Sequence, residues 1–404
     1  MMNADKNFNK FDEIEFWKNK VFSHPEKTIR LGTLFSGIGA VEHALQRLNL
    51  NHRIVFAGDI DPFCKQSYLA NYHEHFDEKD WHSDVHDFDA TKYHGQVDLL
   101  VGGAPCQAFS MVGKRRGFDD TRGTLFREFV RVVKECEPKV FIFENVKGLI
   151  NHDKGRTWDV IRNTFQDYLK YDIHTAILNS KYYGIPQNRE RIFCIGFKTP
   201  REFLFPMKSD LEYTMYDFLE DYGVGSQYYL KEKGIKFVTS HKNREKCYTQ
   251  INGDIALCQK RNQQFNWHGD FVYEPIQEGG DYDEFVFDVN DVEEKYYLSE
   301  KVKNYVLSSG TKNFKTSTET DLDVARPLLQ SMHKMHRAGV DNYVTHKGRI
   351  RKLTPRECLR LMGFKDSFVL ACNDLQLYRQ AGNSIVVDVL IALLKQMDIT
   401  QYGE

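Results

Sequence analysis

The chain has 404 residues, 41% of them hydrophobic and 28% charged, enough apolar material for a sizeable core and too much for wholesale disorder. Its 55 Lys and Arg against 57 Asp and Glu give a formal net charge of −2, so a nucleic acid would have to be held by local basic patches. No apolar run approaches the roughly 20 residues that a bilayer span needs, and residues 1–20 lack a secretory apolar core. Eight cysteines, at 64, 106, 136, 194, 247, 258, 358 and 372, form no Cys-x-x-Cys pair. That argues against a zinc site and a disulfide scaffold. A cytoplasmic protein without metal or membrane contact is expected, each thiol being a small buried hydrophobe or a reactive group.

In chain order, apolar residues at 11, 14, 17, 21 and 22 predict a short amphipathic helix that His24-Pro25 ends. Strands are expected at 29–35, 53–57, 97–102, 139–143, 175–178 and 191–197. Helices are expected at 40–48, 62–71, 122–136 and 158–169. This alternation predicts βαβ units and a mostly parallel sheet. It stops near residue 225. The stretch 226–345 is richer in Tyr, Asn, Gln, His, Lys and Gly, with short strand-like pieces at Lys236–Thr239 and Phe271–Tyr273, and reads as a separate module. Beyond Lys352 a helical pattern returns with Thr354-Pro355-Arg356-Glu357 as N-cap and first turn, and an apolar helix covers 385–397.

Five segments carry chemistry-bearing residues. Phe35-Ser36-Gly37-Ile38-Gly39 joins a strand to a helix, where backbone can approach a ligand. A dinucleotide fingerprint would want glycine at 42, which is Glu42, so a pyrophosphate cofactor is disfavoured. Asp59, closing the second strand, can accept from ribose hydroxyls or cap the helix that begins at Pro62. Together the two favour an adenosine-type cofactor over a bare tight turn. Gly103-Ala104-Pro105-Cys106-Gln107 places a thiol at the carboxyl end of a parallel strand, where open α/β sheets hold ligands. An exposed nucleophile or an inert thiol fits that position. Lys114, Arg115 and Arg116 could hold a phosphate backbone or form a solvated charge run.

Glu144 ends another apolar strand on the same edge; partial burial would raise its pKa, as a carboxyl sharing a proton with a ring nitrogen requires, and the plainer role is to cap the next turn. Gln187, Arg189 and Arg191 share one face if extended, either orienting a base or making a surface ion-pair stripe. Gly382-Asn383-Ser384 supplies small polar groups ahead of the last apolar helix, as donors for a ligand or as an N-cap.

In this order the segments resemble the cytosine-C5 DNA methyltransferase family of bacterial restriction–modification systems. Arg351-Lys352-Leu353-Thr354-Pro355-Arg356-Glu357-Cys358 and Leu361-Met362-Gly363-Phe364 add to the match, which covers roughly 29–200 and 350–400. Each motif is modest alone; the ordered combination is specific. Ala40 stands where a further glycine is common, and Asp59 where the family often carries Glu.

The resemblance implies a Rossmann-like catalytic domain over 29–225, completed by 346–404, with a smaller target-recognition domain at 226–345 and an extension at 1–28 of open role. It further implies S-adenosylmethionine as cofactor and a target cytosine swung out of double-stranded DNA. Cys106 would attack cytosine C6, Glu144 would hold N3 and the exocyclic amine, and Arg189 and Arg191 would orient the base, Arg191 at O2. Phe35, Ser36, Gly37, Ile38, Gly39, Asp59, Ile60, Asp84, Val85, Gly103, Pro105, Leu125, Asn383 and Ser384 would line the cofactor site. Gln107, Ser110, Lys114, Arg115, Asn145 and Gln187 would contact the substrate, and base reading is expected within 256–271. A monomer is expected, with a cognate restriction endonuclease implied genetically rather than by contact. The rival readings are a tRNA cytosine-C5 methyltransferase, against which the long 226–345 insertion argues, and a silent DNA-binding protein of the same fold.

Overall fold

The computed structural model describes residues 17–104, 125–220, 224, 226–274, 310–311, 314–315 and 349–404. Seven strands build the main sheet: β1 Ile29–Leu34, β2 His52–Gly58, β3 Trp81–His82, β4 Leu99–Gly102, β5 Val140–Val146, β6 Asp172–Asn179 and β7 Glu190–Phe197. The order is β3-β2-β1-β4-β5-β7-β6. Pairings among the first five are parallel, and β7 runs antiparallel to both β5 and β6. The order reverses between β1 and β4, so the carboxyl ends of these strands open the crevice that such sheets use for ligands. β1 and β4 are buried at every position, as strands covered on both faces must be.

The helices described around this sheet are α1 Ala40–Arg47, α2 Pro62–Tyr72, α3 Leu125–Cys136, α4 Arg156–Asn163, α5 Pro355–Arg360, α6 Asp374–Asn383 and α7 Val387–Gln396. α3 turns Phe126, Phe129, Val130 and Val133 inward, where Phe126 and Phe129 meet Phe143 and Phe165 edge-on or tilted. Such ring pairs add about 1 kcal/mol each beyond their buried area. α1 packs on α7, and Arg47 locks the contact with a bidentate pair to Asp388 at 2.6 and 2.9 Å. At the opposite edge of the sheet, Asp98 is fully buried and bonds Arg30 and Lys139, while the backbone of Glu404 exchanges two hydrogen bonds with Thr28.

Four details depart from the sequence reading. Of the helix expected at 11–22, residues before 17 lie outside the described part and Trp17–Asn19 forms one 3-10 turn, Trp17 being buried with its indole N–H on the Met207 carbonyl. The helix expected at 158–169 is α4 followed by a π turn over Thr164–Tyr168. Lys236–Thr239 belongs to a helix, Glu232–Thr239, because Ile235 and Val238 are spaced for one helical face. Gly382 and Asn383 end α6, with Ser384 as its C-cap, instead of opening α7. Asp374–Gln396, which includes these two helices, is long and apolar enough to pass as a membrane span by composition; 72% of its most apolar window is buried inside the protein.

The chain gathers into two units. The first is Met1–Glu220, Gly253–Gly269 and Thr354–Glu404; the second is Asp221–Asn252 and Asp270–Leu353. The module read as 226–345 therefore gives up 253–269. The reason is backbone pairing: Ala256 donates to the Pro186 carbonyl and accepts from the Asn188 amide, both at 2.7 Å. In the second unit, Arg349–Lys352 pairs antiparallel with the strand that ends at Glu274, beside Thr249–Ile251.

Candidate active site

The turn after β1 is bent by positive φ at Phe35 (54°), Gly37 (56°) and Gly39 (81°). A β-carbon on Gly39 would overlap the Tyr72 ring, whose hydroxyl donates to the Gly39 carbonyl, so only glycine fits. The turn is tied to the end of β2: Ser36 N–H donates to the Gly58 carbonyl at 2.9 Å and Gly58 N–H to Ser36 Oγ at 2.8 Å. Asp59 follows. Its carboxylate accepts from the Gly37 amide at 3.0 Å and the Asp61 amide at 2.9 Å. Burial pushes its pKa up and these two amides draw it back. The cap of α2 is Asp61, which leaves Asp59 to the β1 turn. Ile60 beside it is 77% exposed, a bare apolar surface next to an acid.

Asp84 caps the turn at Val85–Asp87 and pairs with His86 at 2.7 Å, while Val85 is buried in the core. Leu125 opens α3, packed against that core.

At the end of β4 the Gly103 α-carbon faces Glu144 so closely that an added β-carbon would sit 2.9 Å from Oε2. Glu144 is on β5, 9% exposed, with Oε1 3.1 Å from Arg191 Nε on β7. Burial raises its pKa, and Arg191 and then Arg189 pull it down. Asn145 turns its amide to the Ala104 carbonyl at 2.8 Å and so holds the chain where it leaves β4. Pro105, Cys106, Gln107, Ser110, Lys114 and Arg115 lie outside the described residues.

Gln187 and Arg189 are held chiefly by backbone groups. Gln187 is buried, donating to the Leu361 carbonyl at 2.8 Å and accepting from the Gln259 amide at 3.0 Å. Arg189 is 3% exposed and donates to the carbonyls of Gln259, Gly382 and Ser384 at 3.0, 3.1 and 2.8 Å. Desolvation lowers its pKa to about 10. The segment is not a regular strand here: the Gln187 and Arg189 amides each reach back two residues. Gly382 is needed because the 260–261 backbone presses on it; a β-carbon would stand 2.6 Å from the Arg261 nitrogen.

Phe35, Gly37, Gly103, Glu144, Asn383 and Ser384 line one cleft at the carboxyl ends of β1 and β4. Thr33 and Glu42 also border it. The sequence reading passed over both, treating Glu42 only as a missing glycine; the available signal was an acid in the first turn of a helix that begins at a ligand-binding turn. A strand-end acid, an exposed apolar shelf at Ile60 and a glycine turn open at Gly37 suit a nucleoside carrying a short polar tail. Among the described residues no cluster of His, Cys, Asp and Glu could hold a metal ion.

The family profile for C-5 cytosine-specific DNA methylase matches residues 29–398. Among curated relatives, the Type II methyltransferase M.HpaII of Haemophilus parainfluenzae is 33% identical, over 90% of this chain and 87% of its own length. The orphan methyltransferase M.SPRI of Bacillus phage SPR is 31% identical, over 91% and 97%. Among solved structures, the S. pombe Dnmt2 methyltransferase superposes with a TM-score of 0.59 at 19% identity, covering 91% of this chain and 97% of that one. The Entamoeba histolytica methyltransferase EhMeth gives 0.60 at 16% identity, covering 92% and 98%.

Proposed function

This chain belongs to the C-5 cytosine-specific DNA methylase family, and from that premise we propose that it methylates C5 of a cytosine swung out of a specific double-stranded DNA sequence, using S-adenosylmethionine and a transient Cys106–C6 bond. The observation that supports this best is the buried Glu144, held by Arg191 and set against Gly103 at the mouth of the strand that leads to Cys106.

The cofactor, when bound, supplies an electrophilic methyl group. Asp59 would take the ribose hydroxyls, Ile60 the adenine face, and the turn at 35–39 with Asn383 and Ser384 the amino-acid end. Asp84 is assigned to the same site. Cytosine C5 is a poor nucleophile. Cys106, as thiolate, bonds to C6 while Glu144 gives a proton to N3, so the ring becomes an enamine with electron density at C5. After C5 has gained its methyl group it loses its proton to water, the C5–H pair closes the C5–C6 double bond, the C6–S electron pair returns to sulfur, and N3 gives its proton back to Glu144. A carboxyl whose pKa is raised by burial suits that exchange. Arg191 steadies the carboxyl and can reach O2. Arg189 and Gln187 act as positioning residues, through the backbone carbonyls and amides they hold.

A stacked base cannot offer C6 to a thiol, so it leaves the helix at a cost of a few kcal/mol. With no net positive charge on the chain, local contacts such as Lys114 and Arg115 would meet the phosphates. The relatives named as Type II methyltransferases support a role as modification partner of a restriction endonuclease. Incubation with duplex DNA carrying 5-fluorocytosine tests the mechanism: the wild-type chain should be trapped as a DNA adduct that survives denaturation, and Cys106→Ser should not. Methylation by the wild type without any trapped adduct refutes the covalent step.

A further inference from the structure

Glu42 lies in the first turn of α1 and is 1% exposed, yet it borders the cleft. One carboxyl oxygen, Oε1, accepts from the Tyr68 hydroxyl at 2.7 Å and from Thr33 Oγ1 at 3.1 Å. The other, Oε2, has no hydrogen-bond partner among the described residues. The groups acting on the carboxyl are Thr33 of β1, Tyr68 and Tyr72 of α2, and the amides of Val41 and Glu42 itself; none of these is a cation. An acceptor left bare in a dry site costs roughly 1–3 kcal/mol, more if charged, and a structure keeps one where a ligand satisfies it. Thr33 Oγ1 also meets Ser36 Oγ at 2.7 Å, which links the acid to the turn that cradles the ligand.

We infer that Glu42 is a cofactor-binding residue: its free oxygen receives the α-ammonium group at the amino-acid end of the cofactor, with Thr33 and Tyr68 holding the carboxyl in place. This rests on the S-adenosylmethionine reading above and adds a residue to it. Two observations favour a cationic group over a neutral one. Among the described residues the acid has no ion-pair partner, and its other oxygen is already fixed by two hydroxyls, which orients the free one. Burial raises the Glu42 pKa and the Tyr68 hydroxyl lowers it, so binding of an ammonium group draws the acid towards its carboxylate form.

The test is calorimetry on the full chain with S-adenosylhomocysteine and with its deamino analogue. The wild type should prefer the amine-bearing ligand about tenfold or more. Glu42→Gln should bind both ligands alike, with the deamino analogue as tight as in the wild type, and Glu42→Asp should regain part of the preference. A preference kept intact in Glu42→Gln overturns the inference, as does a wild type without preference. The wild-type preference needs no folded variant. Failure of both ligands to bind the wild type instead removes the adenosine-cofactor reading itself.

Discussion

Replacing Arg189 should unfold the first unit far more readily than a surface arginine would. Its guanidinium satisfies three backbone carbonyls, of Gln259, Gly382 and Ser384, from a position only 3% exposed. Each buried carbonyl left bare costs about 1–3 kcal/mol. Removing the arginine also removes the desolvation penalty of a buried cation, which offsets part of that loss. Water entering the space left by alanine can restore some of the hydrogen bonding. A net cost of about 3–5 kcal/mol for Arg189→Ala follows, in line with breaking other buried charged networks. Arg189→Lys should fall between, because one ammonium cannot span three carbonyls on two segments. The assay is reversible urea unfolding followed by circular dichroism, with the folded variant then titrated with S-adenosylhomocysteine. Gly382 and Ser384 flank Asn383 in the cleft wall, so ligand affinity should fall with stability. A loss below about 1 kcal/mol would show that the arginine does not hold these segments together.

Gly39→Ala should lose ligand binding and about 1–2 kcal/mol of stability from its left-handed backbone alone, more from overlap with Tyr72; unchanged melting and binding would contradict the close approach. His43 should make the fold acid-sensitive. Its Nε2 accepts from the Lys365 amide, and burial lowers its pKa to about 4. Because the folded pKa lies below the unfolded value near 6.5, the neutral ring's contribution is complete above that value and is lost as pH falls towards about 4. The loss approaches about 3 kcal/mol. The stability gap between wild type and His43→Ala should narrow over that range in urea titrations; a gap independent of pH would refute the assignment.

Much of the catalytic unit was legible because its signals are local. Strands such as Leu99–Gly102 and Val140–Phe143 are unbroken apolar runs, which only a strand covered on both faces explains in this context. Gly37 and Gly39 mark a turn, and Asp59 and Glu144 follow strands on the ligand-bearing edge. What escaped depends on partners distant in sequence. Gln187 and Arg189 read as one face with Arg191, but backbone groups near 259, 361 and 382–384 claim them. Residues 253–269 look by composition like the module around them, and only the pairing of Ala256 with Pro186 and Asn188 assigns them elsewhere. Small polar residues at Gly382–Ser384 suggested a helix start, whereas the close approach of Arg261 explains the glycine. Glu42 carried only a weak local signal as a site residue because its partners Thr33 and Tyr68 lie on other elements.

The account stands most directly on where a labelled methyl group goes. The purified chain, given S-adenosylmethionine with a labelled methyl group, mixed duplex DNA and bulk tRNA, should place label in the DNA as 5-methylcytosine at one sequence context. Label confined to tRNA, or on a base other than cytosine, would contradict it.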